Sequence, residues 1–195
     1  MYTRDGMSEI LKMCYWYNPV LSTICSPVEE NEFGTKFIEW CESLKQTMKK
    51  RNGLGLAAPQ VGLTKRVFAM EFPESSNWDT QIVCNPVLVL EGKAVYEREG
   101  CLSLPGLFES VVRAEKITMQ FKNIFGVPEE LVLTGINARI AQHEFDHLSG
   151  IMFFDYKDKR PVYGARMSKQ TSKQVQRTWA KNSTKLIEAA ETRSL

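Results

Sequence analysis

Apolar residues recur with helical spacing at Phe37, Ile38, Trp40, Cys41, Leu44 and Met48, which predicts a helix over residues 32–50. Lys49, Lys50 and Arg51 suit the C-terminal turn of that helix, and Asn52-Gly53 stop it. Residues 53–62 are small and glycine-rich, so they read as a loop that permits close backbone approach. The period then changes. Residues 66–72 and 81–90 read as strands, and 111–122 alternate as a third, with 131–134 pairing across the turn at Gly126-Val127-Pro128. Helical spacing returns over 136–148 and ends at Gly150. Asn18-Pro19 and Ser26-Pro27 make residues 8–28 an extended, looping segment. From about Arg166 to Ala190 there are few breakers, which predicts a polar, basic helix.

These elements predict an α+β fold, with mixed or antiparallel β-sheets packed around a central helix and a further helix at the C-terminus. Residues 1–156 are expected to form the catalytic domain, and 157–195 a basic, mainly helical extension of it. A chain of 195 residues can bury a core without disulfide staples. Its five cysteines are odd in number, irregularly spaced and without a Cys-x-x-Cys, which argues against a disulfide framework and for a reducing compartment. Cys41 and Cys84 lie in apolar patterns and read as small buried residues. No apolar run approaches the roughly 20 residues of a membrane span. Met1–Gly6 lead into no apolar signal region, so a soluble cytoplasmic protein is expected.

Charge adds one feature. The net +2 divides into −5 over residues 1–156 and +7 over 157–195. A basic extension on an acidic body suits an anionic partner, or simply a solvated helix.

The candidate chemistry starts from histidine. The chain has two, both in Gln142-His143-Glu144-Phe145-Asp146-His147. On a helix, the four-residue spacing stacks both imidazoles on one face, where they can grip one metal ion with Glu144 beside its remaining ligands. A catalytic site needs a third protein ligand. No histidine follows His147, and the next glutamate is Glu188, so Asp155 and Asp158 are the formal downstream candidates. Upstream, Cys101 lies in Glu99-Gly100-Cys101-Leu102-Ser103, where a thiolate flanked by glycine can approach a metal. The loop Gly53-Leu54-Gly55-Leu56-Ala57-Ala58-Pro59-Gln60 offers an amide donor at Gln60.

Together, Gly-x-Gly-x-Ala-Ala-x-Gln at 53–60, Glu-Gly-Cys-Leu-Ser at 99–103 and Gln-His-Glu-x-Asp-His-Leu-x-Gly at 142–150 resemble the three signature motifs of peptide deformylase. All three match without substitution and in order. Asn18-Pro19-Val20-Leu21 and Asn85-Pro86 also resemble that family, and the likeness covers roughly residues 8–156. The resemblance implies that Cys101, His143 and His147 hold one divalent ion per chain. That ion would be Fe²⁺ in the cell, with Zn²⁺ or Ni²⁺ possible in purified protein.

It further implies removal of the formyl group from N-formylmethionyl peptides. In that reaction a metal-activated water attacks the formyl carbonyl, Glu144 acts as general base and acid, and the Gln60 side chain and Leu102 N–H stabilise the oxyanion. Ile136, Arg139 and Ile140 share the His143 face and are expected to line the methionine pocket, Arg139 with its aliphatic stem; ordinary core packing is the other reading of the two isoleucines. Gly53 and Gly55 are expected to meet the substrate backbone, with Glu99 and Gly100 beside it. The family resemblance also places Glu99, Arg113 and Asp146 together behind the ligands, as an ion cluster orienting a metal-binding histidine.

Two other functions compete. A zincin-type metalloprotease explains His143, Glu144 and His147 but leaves Cys101 and Gln60 idle. A non-catalytic deformylase-like protein that binds the ribosome through its basic tail leaves Glu144 idle. Neither membrane nor DNA is an expected partner.

Overall fold

A computed structural model describes residues 9–73, 80–157 and 166–167. Its order is helix α1 (Thr35–Lys50), strands β1 (Gly55–Ala57), β2 (Val67–Glu71), β3 (Thr80–Cys101), β4 (Leu104–Lys122) and β5 (Pro128–Thr134), helix α2 (Gly135–His147) and strand β6 (Arg166–Met167). Strands β1 to β5 form one antiparallel path in sequence order, and β6 joins β3 in parallel. The α+β prediction holds, with one connected sheet in place of several.

Period-2 alternation divides the core between two helices. Along β2, Phe68 and Met70 pack with Phe145 and Ala141 of α2, whereas Val67 and Ala69 pack with Cys41, Leu44 and Met48 of α1. Every residue of β2 is buried, as expected of a strand covered on both faces. Leu56 and Ala57 of β1 divide between the same two clusters. Residues 41, 44 and 48 are fully buried on one stripe of α1, the seam its sequence spacing predicts. Each such leucine or methionine contributes about 1.5–3 kcal/mol by leaving water.

Several boundaries differ from the sequence reading, each for a local reason. Helix α1 begins at Thr35, because residues Glu30–Glu32 form a separate 3-10 turn in which Glu29 N–H donates to Glu32 Oε2 at 2.8 Å. Strands β3 and β4 run well beyond the apolar runs that announced them, into segments where residues 92–93, 96–98 and 105–108 are exposed. Register shifts follow Cys84, Glu91 and Gly100. Residues 53–62 contain β1 and the 3-10 turn Ala58–Val61 in place of a plain loop. Arg166 and Met167, expected to open a helix, instead pair with Val89 and Leu90. Strand β2 covers β3 only as far as Cys84, which leaves that edge free for them. The remainder of the predicted C-terminal helix lies outside the described residues. Among the described residues no helix is long and apolar enough to cross a membrane.

The segment before α1 lies against the body. Asn85, at φ +50°, accepts from Val28 N–H at 2.9 Å and donates to Val28 O at 2.8 Å, imitating a strand partner. Helix α2 closes at Gly150, which has φ +69° and donates to His147 O at 3.2 Å. A Cβ there would stand 2.6 Å from Ser22 O. Gly150→Ala is therefore expected to lower the unfolding free energy by at least about 1–2 kcal/mol, the cost of a left-handed residue, read from urea denaturation.

Candidate metal centre

Helix α2 carries both histidines in its last turns, and its pitch sets their rings 5.0 Å apart at 81°. Strand β3 ends opposite them at Cys101, where the two-residue turn of Leu102 and Ser103 leads into β4. Cys101 Sγ lies 3.3 Å from His147 Nε2. One donor atom from each of Cys101, His143 and His147 falls within 4.8 Å of the others. A thiolate and two imidazoles are a donor set for a divalent transition metal. His143 Nδ1 lies 2.9 Å from Glu99 Oε2, which leaves Nε2 as the ring nitrogen for a ligand. Burial, reinforced by His143, holds His147 well below the usual histidine range and so in its neutral, ligating form. The residues fit a metal.

Asp155, a downstream candidate, instead accepts from Met152 N–H at 2.9 Å within its own turn. Asp158 and Glu188 lie outside the described residues.

Behind His143 stands an ion network. Arg113 grips Glu99 with two bonds of 2.8 Å and also pairs with Asp146. The predicted trio is thus together, and it has a fourth member. Arg139 donates to Glu99 Oε1 at 2.7 Å, to Val111 O at 3.1 Å and to Val95 O at 2.9 Å, and pairs with Glu97 at 3.1 Å. Its guanidinium therefore belongs to the cluster, whereas the sequence reading used only its stem. Burial opposes the charge on Glu99, but Arg113 and then His143 hold its carboxyl well below the usual range. Glu99 lines the cleft, yet its two oxygens are spent on Arg113, Arg139 and His143. Sequence reasoning missed Glu97 and the inward role of Arg139. The available signal was the alternation of Glu97 and Glu99 on one strand face, with Arg139 one turn before His143.

Three further groups face the ligands. Glu144 is 4 % exposed, its burial pushes the carboxyl up to about 7, and its Oε2 has no hydrogen-bond partner. Gln60 accepts from Ala57 N–H at 2.7 Å, which turns its Nε2 toward Cys101 Sγ at 3.4 Å and Ser103 Oγ at 3.2 Å. Ser103 had not been singled out. Cys14 N–H donates to Gln60 O at 2.7 Å and Trp16 N–H to Ser103 O at 2.8 Å, so the N-terminal segment ties these two residues in place. Gln142 bonds both backbone groups of Ala114 and holds α2 on β4.

The centre opens into a cleft of about 620 Å³. Residues 51–55 form one wall and 98–102 with 104–108 the other, while Ile136, Arg139, Ile140, His143 and Glu144 come from α2. Gly53, Gly55, Gly100 and Leu102 thus all border it. Ile140 packs in the main core and Ile136 against it, and both border the cleft.

This arrangement defines a metal-binding site with a buried acid, both bordering one cleft. Residues 10–161 match the family model described as polypeptide deformylase. A peptide deformylase of Thermus thermophilus is 39% identical over 161 residues, covering 75% of this chain and 82% of that protein. Among solved structures, the Met-Ala-Ser-bound class I type b peptide deformylase of Acinetobacter baumannii superposes with a TM-score of 0.71 at 33% identity, covering 76% of this chain and 99% of that one. A peptide deformylase of Legionella pneumophila gives 0.71 at 31% identity and covers 93% of this chain and 98% of its own. The chain belongs to the polypeptide deformylase family. It is accordingly an enzyme, a hydrolase of N-terminal processing in protein biosynthesis.

Removing Arg113 leaves Glu99 short of its bidentate partner. Arg113→Ala is expected to weaken metal retention about 10- to 100-fold, measured against a competing chelator. It should also cost about 3–5 kcal/mol in urea unfolding, the penalty for breaking a buried ion pair.

Proposed function

We propose that the protein hydrolyses the formyl amide of formylmethionine at the start of nascent peptides, releasing formate and a free N-terminus. The observation that carries this reading is the convergence of Cys101, His143 and His147 donor atoms beside the unpartnered Glu144 Oε2. Cys101, His143 and His147 would hold a divalent ion, Fe²⁺ in the cell with Zn²⁺ or Ni²⁺ as substitutes, which would supply Lewis acidity and make water more acidic. Glu144 removes a proton from the attacking water and returns one to the leaving amine as the formyl C–N bond breaks. Gln60 Nε2 and the Leu102 N–H donate to the carbonyl oxygen as it gains charge, where one such donor is worth about 10²–10³ in rate.

Ile136, Ile140 and the Arg139 stem receive the methionine side chain. Residues 53, 55, 99 and 100 flank the peptide backbone. The Met-Ala-Ser carried by the Acinetobacter baumannii relative is the peptide that this reaction would leave from a formylated precursor.

A zincin reading is less well supported, because Asp155 is engaged within its own turn and Cys101 stands in the ligand group. A purely binding role would leave a buried carboxyl without a partner at a standing cost. The reaction is placed in the cytoplasm, on chains leaving the ribosome, and the basic residues of 157–195 are offered as its contact with ribosomal RNA.

Protein loaded anaerobically with Fe²⁺ should release formate from formyl-Met-Ala-Ser; no release would sink the proposal. Cys101→Ser should lose bound metal and activity together, whereas a zincin would keep both. Deleting residues 168–195 should weaken salt-sensitive co-sedimentation with ribosomes and spare activity on that tripeptide. Unchanged co-sedimentation removes the ribosomal role alone.

A further inference from the structure

We infer that Gly55 is a positioning residue for Glu144, required because no side chain can stand between them. The inference rests on Glu144 being the base of the proposed reaction. A Cβ placed on Gly55 meets three heavy atoms of Glu144 before any other group, and lies 2.7 Å from both Cγ and Cδ. Contact at that separation is repulsive, since carbon atoms sit best at about 3.5–4.0 Å. Backbone conformation does not explain the glycine, for Gly55 is absent from the residues of positive φ. The reason is space.

Both partners sit in tied elements. Gly55 pairs with Met70 in the β1–β2 ladder, and the neighbouring Leu54 O accepts from Glu71 N–H at 2.8 Å. On the other side, Glu144 is 4 % exposed and sits between His143 and the buried Phe145 on a helix tied to β4 through Gln142. Gly53 differs: the nearest atom to its Cβ is the tip of the Leu102 side chain, which can swing aside. At Gly55 the interfering atoms include Cγ, near the root of a buried side chain. The same contact places Glu144 Oε1 against Gly55, while Oε2 is the oxygen without a partner.

The test uses the metal-loaded full chain and formyl-Met-Ala-Ser. Gly55→Ala should keep its metal stoichiometry while kcat falls by about 10²-fold or more, the scale of a general-base contribution, with the loss in kcat well above any rise in KM. In a Glu144→Asp background, where the acid is one methylene shorter, Gly55→Ala should cost far less in kcat than it does in the unmodified chain. A rise in KM at unchanged kcat would mean that Gly55 acts only on the substrate backbone, and equal losses in both backgrounds would break the link to Glu144; either overturns the inference.

A second measurement does not depend on activity. Gly55→Ala should lower Tm, and adding Glu144→Ala should restore it by removing the atoms in conflict. Failure of that rescue also overturns the inference. An unmodified protein without formate release, by contrast, would overturn the deformylase reading and leave this steric result to stand or fall on Tm.

Discussion

The buried carboxylate of Glu99 is the constraint around which the active end of this molecule is organised. It lies on β3 two residues before Cys101, and it binds Arg113 from β4, Arg139 and His143 from α2. One anion thereby joins the strand that brings the thiolate to the helix that brings the imidazoles. Buried ion pairs rarely repay their desolvation in stability. Here the return is geometric: the bond to Nδ1 fixes one ring of the metal site and leaves its other nitrogen to face the cleft. Arg139 extends the network to Glu97 and to carbonyls of both strands, so the pocket wall and the metal site share a support.

The sheet makes that meeting possible. Strand β2, buried on both faces, separates an α1 core from an α2 core. With α2 held on β4 through Gln142, the last turns of the helix come to rest over the end of β3. Cys101 arrives there as the final residue of a long strand, and a two-residue turn keeps Leu102 and Ser103 beside it. Gln60 reaches the same spot from the 3-10 turn after β1, aimed by its bond to Ala57. Three segments distant in sequence thus converge with little slack. That tightness is why glycine recurs where the walls are closest.

Much of this was legible in the chain. The apolar stripe of α1, the strand at 67–71 and the helix carrying both histidines follow from period alone, because burial repeats with backbone geometry. Two of the three motifs hold Cys101, His143 and His147, which the fold brings together, and a pair of histidines one turn apart needs no tertiary information to share a face. Strand ends were less legible. The added lengths of β3 and β4 include exposed residues such as 96–98, which pair with 110–112 and carry no apolar alternation to announce them. Strand β1 was hidden in glycine and alanine, whose small side chains carry little strand signal.

Local sequence by itself determined which groups could act: a thiol, two imidazoles, a carboxyl and an amide, each in a segment of recognisable type. Only the tertiary structure decided how they are held. It made Arg139 a partner of Glu99 as well as a wall of the cleft, held Asp155 within its own turn and set Gly55 against Glu144. Those outcomes depend on distances between segments far apart in the chain. Packing density sets such distances, and no local periodicity encodes them.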